Sequence, residues 1–209
     1  MKKFFLFLVL ISFSGCSFVP NVNDKFAEVH YCFFTGENEQ CSLSIWSGRR
    51  EGNYCMNGIP TPNVDFSLLV FSPKVQPFPT TCSVDINGVS TKVTLENSPY
   101  DDTLACDLGR LVSAEDKIVV YFSIDNISSM IELSCVSSSY AIDYKKALSI
   151  GLEKAKQFLN SVENYEIYLK IITSPKFAGV QFWFFKILSS ESEFTCVIDV
   201  NSGEILATK

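Results

Sequence analysis

The sequence predicts an all-β sandwich followed by a small α+β domain in which a helix packs on an antiparallel sheet. Two patterns predict this order. Short strand-like segments separated by turn signals run from about residue 26 to 137, with their core at about 64–136. From residue 140 to 209, apolar residues first recur every three or four positions, as in a helix, and then alternate as in strands. With 47% hydrophobic and 19% charged residues, the chain has a globular composition.

The sandwich region contains two predicted hairpins. In the first, Cys82, Val84 and Ile86 share one strand face, and Asn87-Gly88 supplies the positive φ angles of a type I′ turn. The second joins residues 117–124 and 128–135 through Asp125-Asn126, and single strands are expected at 64–71 and 103–108. The part from about residue 64 to 136 resembles an immunoglobulin-like domain in its strand spacing, although the Cys…Trp…Cys signature of that family is missing.

The C-terminal region begins with a predicted helix. Asp143 is expected to cap it by accepting a backbone N–H, and its apolar stripe includes Tyr144, Leu148, Leu152, Ala155 and Leu159. Strands are expected at 165–173, 180–188, 193–200 and 204–207. The region is similar to the PepSY family of small exported or membrane-attached domains. The resemblance lies in Ala147 and Ala155, in Val180-Gln181-Phe182-Trp183, and in the segment from Val197 to Ile205. It implies restraint of a peptidase or a regulatory role.

The N-terminus predicts export. Residues 1–15 have the three regions of a signal peptide: the positively charged Met1-Lys2-Lys3, then an apolar run, then small residues. Ser14-Gly15-Cys16 resembles the end of the lipobox of prokaryotic lipoproteins, which implies a lipid anchor on Cys16 and a tether over 16–25. That family prefers Leu, Val or Ile where this chain has Phe13. Cleavage after Ser14 with simple secretion is the alternative, and an uncleaved anchor is a more distant one.

Besides Cys16, the chain has seven cysteines, as expected for an exported protein that forms disulfides. Cys82 with Cys106 is the first predicted disulfide. Cys32 with Cys41 is the second, across a hairpin turned at Gly36. Because seven is odd, at least one cysteine stays free or pairs outside the chain, and Cys196 is the best candidate for a free, buried one.

No catalytic, cofactor or metal site is predicted. His30 is the only histidine, so a catalytic pair would have to use it with the nearby Cys32, and a structural role is favoured. The segment from Asp199 to Glu204 lacks the ligand positions of a calcium loop and is predicted to be a hairpin turn. The formal charge of −6 and the absence of a basic tract make nucleic acid a poor partner.

The sequence therefore predicts a non-enzymatic protein of the cell envelope that binds a protein partner, such as a peptidase that it restrains. The alternative is a structural adaptor or subunit that only spaces and presents a surface. The strand at 180–188 is apolar on both faces. Burial of both faces is favoured because monomers seldom expose large apolar patches, and the sharper hypothesis is that Trp183 and Phe185 form an exposed binding patch. The sequence leaves the oligomeric state open.

Overall fold

The computed structural model describes residues 22–52, 55–98, 101–174 and 179–209. The leader, Cys16 and most of the predicted tether lie outside these residues, so export and lipidation stay predictions. The end of the tether belongs to the fold instead. Val22 is buried in the same core as the helix, and the carbonyl of Lys25 accepts the backbone N–H of Ile167 at 2.7 Å.

The described residues are mostly β-structure. Their elements are, in chain order, β1 (Phe26–Glu37), β2 (Cys41–Glu51), β3 (Asn63–Pro73), β4 (Thr81–Ile86), β5 (Val89–Thr94), β6 (Glu96–Asn97), β7 (Leu104–Asp107), β8 (Ile118–Ile124), β9 (Ile127–Cys135), a 3-10 turn (Val136–Ser139), α1 (Tyr144–Lys154), α2 (Lys156–Leu159), β10 (Glu166–Thr173), β11 (Gln181–Leu188), β12 (Glu193–Asp199) and β13 (Ile205–Thr208). Within this part of the chain, neither helix is long and apolar enough to cross a membrane.

The strand β1 connects the two halves of the molecule. Its first half pairs in parallel with β10, and its second half pairs antiparallel with β9 at Phe34 and Cys135. Along most of its length it also pairs with β2. The described strands are therefore ordered β13-β12-β11-β10-β1-β2-β3-β7-β6, and β5-β4-β8-β9 joins this series at β1. A continuous ladder thus crosses from the predicted sandwich region to the predicted α+β region.

The first half of the chain fits a sandwich in coarse outline. Side chains from β1, β2, β3 and β7 share one core with side chains from β4, β8 and β9, and among the innermost are Ile45, Phe71, Val84, Val120 and Leu133. Both predicted hairpins are confirmed. Asn87 and Gly88 have φ angles of 55° and 84°, and Asp125 and Asn126 have 51° and 65°. These left-handed angles are those that the tight turns require.

The helix α1 packs on β10, β11 and β12. It begins where predicted, because Asp143 Oδ1 accepts the backbone N–H of Lys146 at 2.8 Å. Cys196, Ile198 and Val200 share one core with Leu152 and Ala155, as the alternation of β12 and the helical stripe predict. The prediction that Cys196 is a small, buried residue of this core is therefore confirmed.

The hairpin between β1 and β2 turns later than predicted. Asn38 Oδ1 accepts the N–H groups of Gln40 and Cys41 at 2.9 and 3.0 Å, which places the turn at 38–40. Gly36 remains inside β1. A Cβ atom there would lie 2.7 Å from Cγ2 of Ile131 in β9, so this glycine permits a close approach of two strands rather than a turn.

Candidate functional site

The most unusual polar group is a cluster of Glu28, His30 and Lys170 between β1 and β10. His30 Nε2 lies 2.7 Å from Glu28 Oε1, and Lys170 Nζ lies 2.5 Å from Glu28 Oε2. His30 Nδ1 accepts the backbone N–H of Ile171 at 3.1 Å. Because Nδ1 accepts a hydrogen bond, it carries no proton. The ring proton is therefore on Nε2 and is donated to Glu28.

The electrostatics of the cluster agree with this assignment. Burial alone would raise the pKa of Glu28, but the hydrogen bond from His30 and the adjacent positive charge of Lys170 outweigh it and lower that pKa to about 2. For His30, burial is the largest cause and lowers the pKa; Glu28 opposes this effect and Lys170 adds to it. At neutral pH the cluster therefore contains a carboxylate, a neutral imidazole and an ammonium group.

The position of His30 explains why these groups meet. The β1–β2 register shifts between His30 and Cys32, which is the mark of a β-bulge. Here β1 leaves β10 and turns toward β9, and the ring of His30 replaces a backbone carbonyl as the acceptor for Ile171. Gly48 lies opposite the bulge, and a Cβ atom there would lie 1.9 Å from the carbonyl oxygen of Val29.

His30 and Cys32 do not form a nucleophile and its base. The thiol of Cys32 donates to the carbonyl of Val112 at 3.1 Å and belongs to the sandwich core. Burial is the main cause that raises its pKa to about 12, so a thiolate is strongly disfavoured. Both ring nitrogens of His30 already have partners. The geometry therefore supports a positioning role for this histidine between β1 and β10.

Beside the cluster lies an apolar sheet surface, which we call the open face. Across it, Lys170 pairs with Phe184, Phe184 with Val197, and Ile172 with Phe182. Its members alternate with the core residues of their strands and are all partly exposed: Lys170, Ile172, Phe182, Phe184, Lys186 and Val197. Four apolar side chains thus remain in partial contact with water between two lysines.

The predicted binding residues Trp183 and Phe185 are on the other face of β11. They are 1% and 0% exposed and belong to the core beneath α1. The indole Nε1 of Trp183 donates to the carbonyl of Ile142 at 2.8 Å. Gly151 of α1 approaches so closely that a Cβ atom would lie 2.4 Å from Cγ of Phe185. The prediction of an exposed Trp183/Phe185 patch is therefore wrong, because the helix covers that face.

The cysteines predicted to pair are all free thiols in the structure. Cys82 in β4 is in the sandwich core, and Cys106 in β7 packs against it. The pKa of Cys82 is raised to about 12, mainly by burial and to a smaller extent by the neighbouring Cys106. The structure therefore brings this pair close together, and its disulfide stays a prediction.

The structure separates the second predicted pair. Cys32 lies opposite Ser47, and Cys41 is six positions away from Ser47 on β2 (47 minus 41). At a rise of about 3.3 Å per residue that distance is roughly 20 Å. Disulfide-bonded Cα atoms are less than about 7 Å apart. A bridge from Cys32 to Cys41 would therefore require the hairpin to come apart.

The turn after β12 has the geometry of a hydrogen-bonded turn. Asp199 Oδ1 accepts the N–H groups of Asn201 and Ser202 at 2.9 and 2.7 Å, and the hydroxyl of Ser202 at 3.0 Å. These hydrogen bonds lower the pKa of Asp199, and the two from backbone N–H groups have the largest effect. Its carboxylate is thus occupied in stabilising the turn, as the sequence predicts.

A second surface feature is an open groove beside α1. Lys146, Glu153 and Lys154 line it, together with Ile150 and Ile205. The groove carries charges of both signs around a small apolar floor. The residues lining this groove include no aromatic side chain, whereas the open face has two and an ion cluster at its edge, so the open face is the stronger candidate.

Sequence reasoning missed Glu28, Lys170, Phe182 and Phe184 as site residues. The alternation of β11 was visible, but both of its faces are apolar. One signal could have decided between them. Lys186 has the same parity as Phe182 and Phe184, and a lysine is almost never fully buried without a partner. That parity marks the face that the helix does not cover.

Comparisons with protein-family models, with curated proteins and with solved structures found no match to this chain.

Proposed function

We propose that this chain is an exported, lipid-anchored interaction protein without catalytic activity, and that its open face binds a protein partner in the cell envelope. The observation that carries the proposal is the partly exposed pair Phe182 and Phe184 on a strand whose other face is fully buried. Aromatic side chains that remain in contact with water on a rigid sheet are typical anchors of protein interfaces.

The charges around these aromatics support a protein partner. Lys186 Nζ is 2.7 Å from Glu193 Oε2, and Lys170 is paired with Glu28. Such pairs form a polar rim around an apolar centre, which is the usual arrangement of an interface. Because each lysine is already paired, the rim adds specificity and orientation more than affinity.

The resemblances in the sequence extend this proposal. An immunoglobulin-like sandwich and a PepSY-like C-terminal region would make the chain a two-part envelope module, with the open face on the PepSY-like part. A peptidase that the module restrains is then the partner we propose. The alternative is an adaptor whose two parts only space and present a surface.

Site-specific photo-cross-linking tests the proposal in cells that naturally express the chain. A photoreactive phenylalanine analogue at position 184 should give a discrete adduct with an envelope protein. The matched control is the same analogue at Tyr121, which is 43% exposed on the other sheet. The proposal would be contradicted, and the adaptor favoured, if neither position 184 nor position 121 gave an adduct. The same holds if both positions gave adducts with the same proteins.

A second step examines the peptidase. Purified wild-type chain should lower the activity of a cross-linked peptidase, whereas Phe184→Ser should lose this effect and keep its thermal stability. Tyr121→Ser is the control variant on the other sheet. Inhibition that survives Phe184→Ser would show that the peptidase is restrained through another surface and would contradict the proposal.

A further inference from the structure

Glu51, at the end of β2, has an unsatisfied carboxylate oxygen. Its side chain is 2% exposed. Oε1 accepts the backbone N–H of Thr61 at 2.5 Å, and the buried Oε2 has no hydrogen-bond partner. The other deeply buried glutamate is different. Glu166 accepts the N–H of Ile59 on Oε1 at 3.0 Å and the hydroxyl of Tyr168 on Oε2 at 2.6 Å.

Two more buried oxygens without a partner lie beside Glu51. They are Thr61 Oγ1 and Asn63 Oδ1. Glu51 and Asn63 are directly opposite each other in the β2–β3 ladder, so their side chains leave the same face of the sheet. The hydrogen bond from Thr61 N–H to Glu51 holds Thr61 Oγ1 beside the other two oxygens. The backbone N–H of Gly52 donates to the carbonyl of Pro62 at 3.1 Å, which extends the β2–β3 pairing past Glu51.

Three unsatisfied oxygens in one buried place need a positive partner. A buried polar atom without a partner is rare in folded proteins and calls for an unseen water or ion. A carboxylate, an amide carbonyl and a hydroxyl are all hard ligands, which suit a hard cation and not a soft metal. Mg²⁺ demands strict octahedral geometry and gives up water reluctantly, whereas Ca²⁺ accepts mixed neutral oxygens and flexible geometry.

We propose that Glu51 Oε2, Thr61 Oγ1 and Asn63 Oδ1 form a Ca²⁺ site that fastens the end of β2 to the residues that enter β3. With one carboxylate in the ligand set, the site should be weak, with a dissociation constant of about 10⁻⁴–10⁻³ M, as in extracellular calcium modules. The site shares no residue with the open face, and its test does not depend on the proposed function.

The test measures Ca²⁺ binding by calorimetry and the unfolding temperature of the full chain with and without Ca²⁺. Wild type should bind Ca²⁺ and unfold at a higher temperature in its presence. Glu51→Gln should weaken binding about ten-fold or more, because it removes the only charged ligand. Glu204→Gln, which changes an exposed glutamate, should leave binding unchanged. An equal response to Mg²⁺ would overturn the assignment to calcium.

Asn63→Asp gives the sharper test, and it remains informative if Glu51→Gln fails to fold. Beside Glu51, a second carboxylate should lower the unfolding temperature when Ca²⁺ is absent. Added Ca²⁺ should restore that temperature, and the variant should bind Ca²⁺ more tightly than wild type does. If Asn63→Asp is destabilised equally with and without Ca²⁺, the three oxygens surround a water or a reoriented Asn63 amide, and the proposal is wrong.

Discussion

Folding lowers the pKa of both His30 and Glu28. A group whose pKa is lower in the folded state binds fewer protons there than in the unfolded chain, so acid favours unfolding. The contribution of His30 is complete above its ordinary value of 6.5 and is lost as the pH falls below it. The contribution of Glu28 is complete above 4.5 and is lost as the pH falls toward about 2. The protein should therefore lose stability in acid over two overlapping windows.

Replacing Glu28 with Gln should remove the lower of these windows. A pKa shift from 4.5 to about 2 corresponds to at most about 3 kcal/mol of stability near neutral pH. Urea unfolding should show that Glu28→Gln is less stable at neutral pH and loses less stability than wild type between about pH 5 and pH 3. Glu204→Gln is the control for loss of a carboxylate. Identical slopes for wild type and Glu28→Gln would refute this account of the cluster.

Gly48 is required by the close approach of β1 and β2 at the bulge. In Gly48→Ala, the new Cβ atom would lie 1.9 Å from the carbonyl oxygen of Val29, so the strands must separate. We expect a loss of about 3 kcal/mol in the free energy of unfolding. Gly52→Ala is the matched control, because its nearest contacts would be at 3.7 Å. Similar stabilities for the two variants would mean that the bulge tolerates a wider spacing.

Among the elements, α1 is positioned by one glycine. Alanine favours a helix over glycine by about 1 kcal/mol, so an isolated helix would gain from Gly151→Ala. In the protein, the added Cβ atom would lie 2.4 Å from Phe185 Cγ, and we expect net destabilisation. Thermal unfolding should show that Phe185→Leu, which reduces the ring, restores part of the loss in the double variant. No coupling between the two changes would contradict this packing.

The strands β4 and β7 carry the remaining disulfide prediction. Cys82 and Cys106 meet in the sandwich core, and oxidation there should add about 3 kcal/mol through the unfolded state. Peptide mapping of the protein under non-reducing conditions should recover the two joined. Cys196, buried beneath α1, should remain a thiol in the same sample. Recovery of Cys82 or Cys106 joined to another cysteine would disprove the pairing.

Elements governed by local chemistry could be predicted from the sequence. Asn87-Gly88 fixes its turn through positive φ angles, and Asp143 fixes the start of α1 through one hydrogen bond. Pairing between distant segments could not be predicted in this way. Nothing near β1 in sequence indicates that it pairs with β10, or that His30 would meet Lys170 from the far end of the chain.

The hypothesis that Trp183 and Phe185 are exposed on β11 was wrong for a similar reason. Period-two alternation assigns Trp183 and Phe185 to one face and Phe182 and Phe184 to the other, but it does not say which face a helix covers. The close approach of Gly151 to Phe185 shows that α1 covers the first face, and in the sequence only the parity of Lys186 indicates this. The sequence hypothesis therefore placed the exposed aromatic side chains on the face of β11 that the helix covers.

At the scale of the whole molecule, β1 supplies both cores. Phe26, Val29 and Phe33 pack beneath α1, whereas Cys32 and Phe34 pack in the sandwich. A strand that is shared in this way couples the two halves, because neither core is complete without it. It also creates the edge of the open face, where Glu28 meets Lys170. We therefore expect the described fold to unfold as a single cooperative unit organised by β1.

Calorimetric unfolding of two core variants tests this claim most directly. Ile118 in the sandwich core and Ile198 in the helix-side core are each 0% exposed, and replacing either with Ala should cost about 2–5 kcal/mol. We expect one transition in wild type, and a shift of that whole transition to lower temperature in both variants. Two transitions, with Ile118→Ala lowering only one and Ile198→Ala lowering only the other, would contradict it.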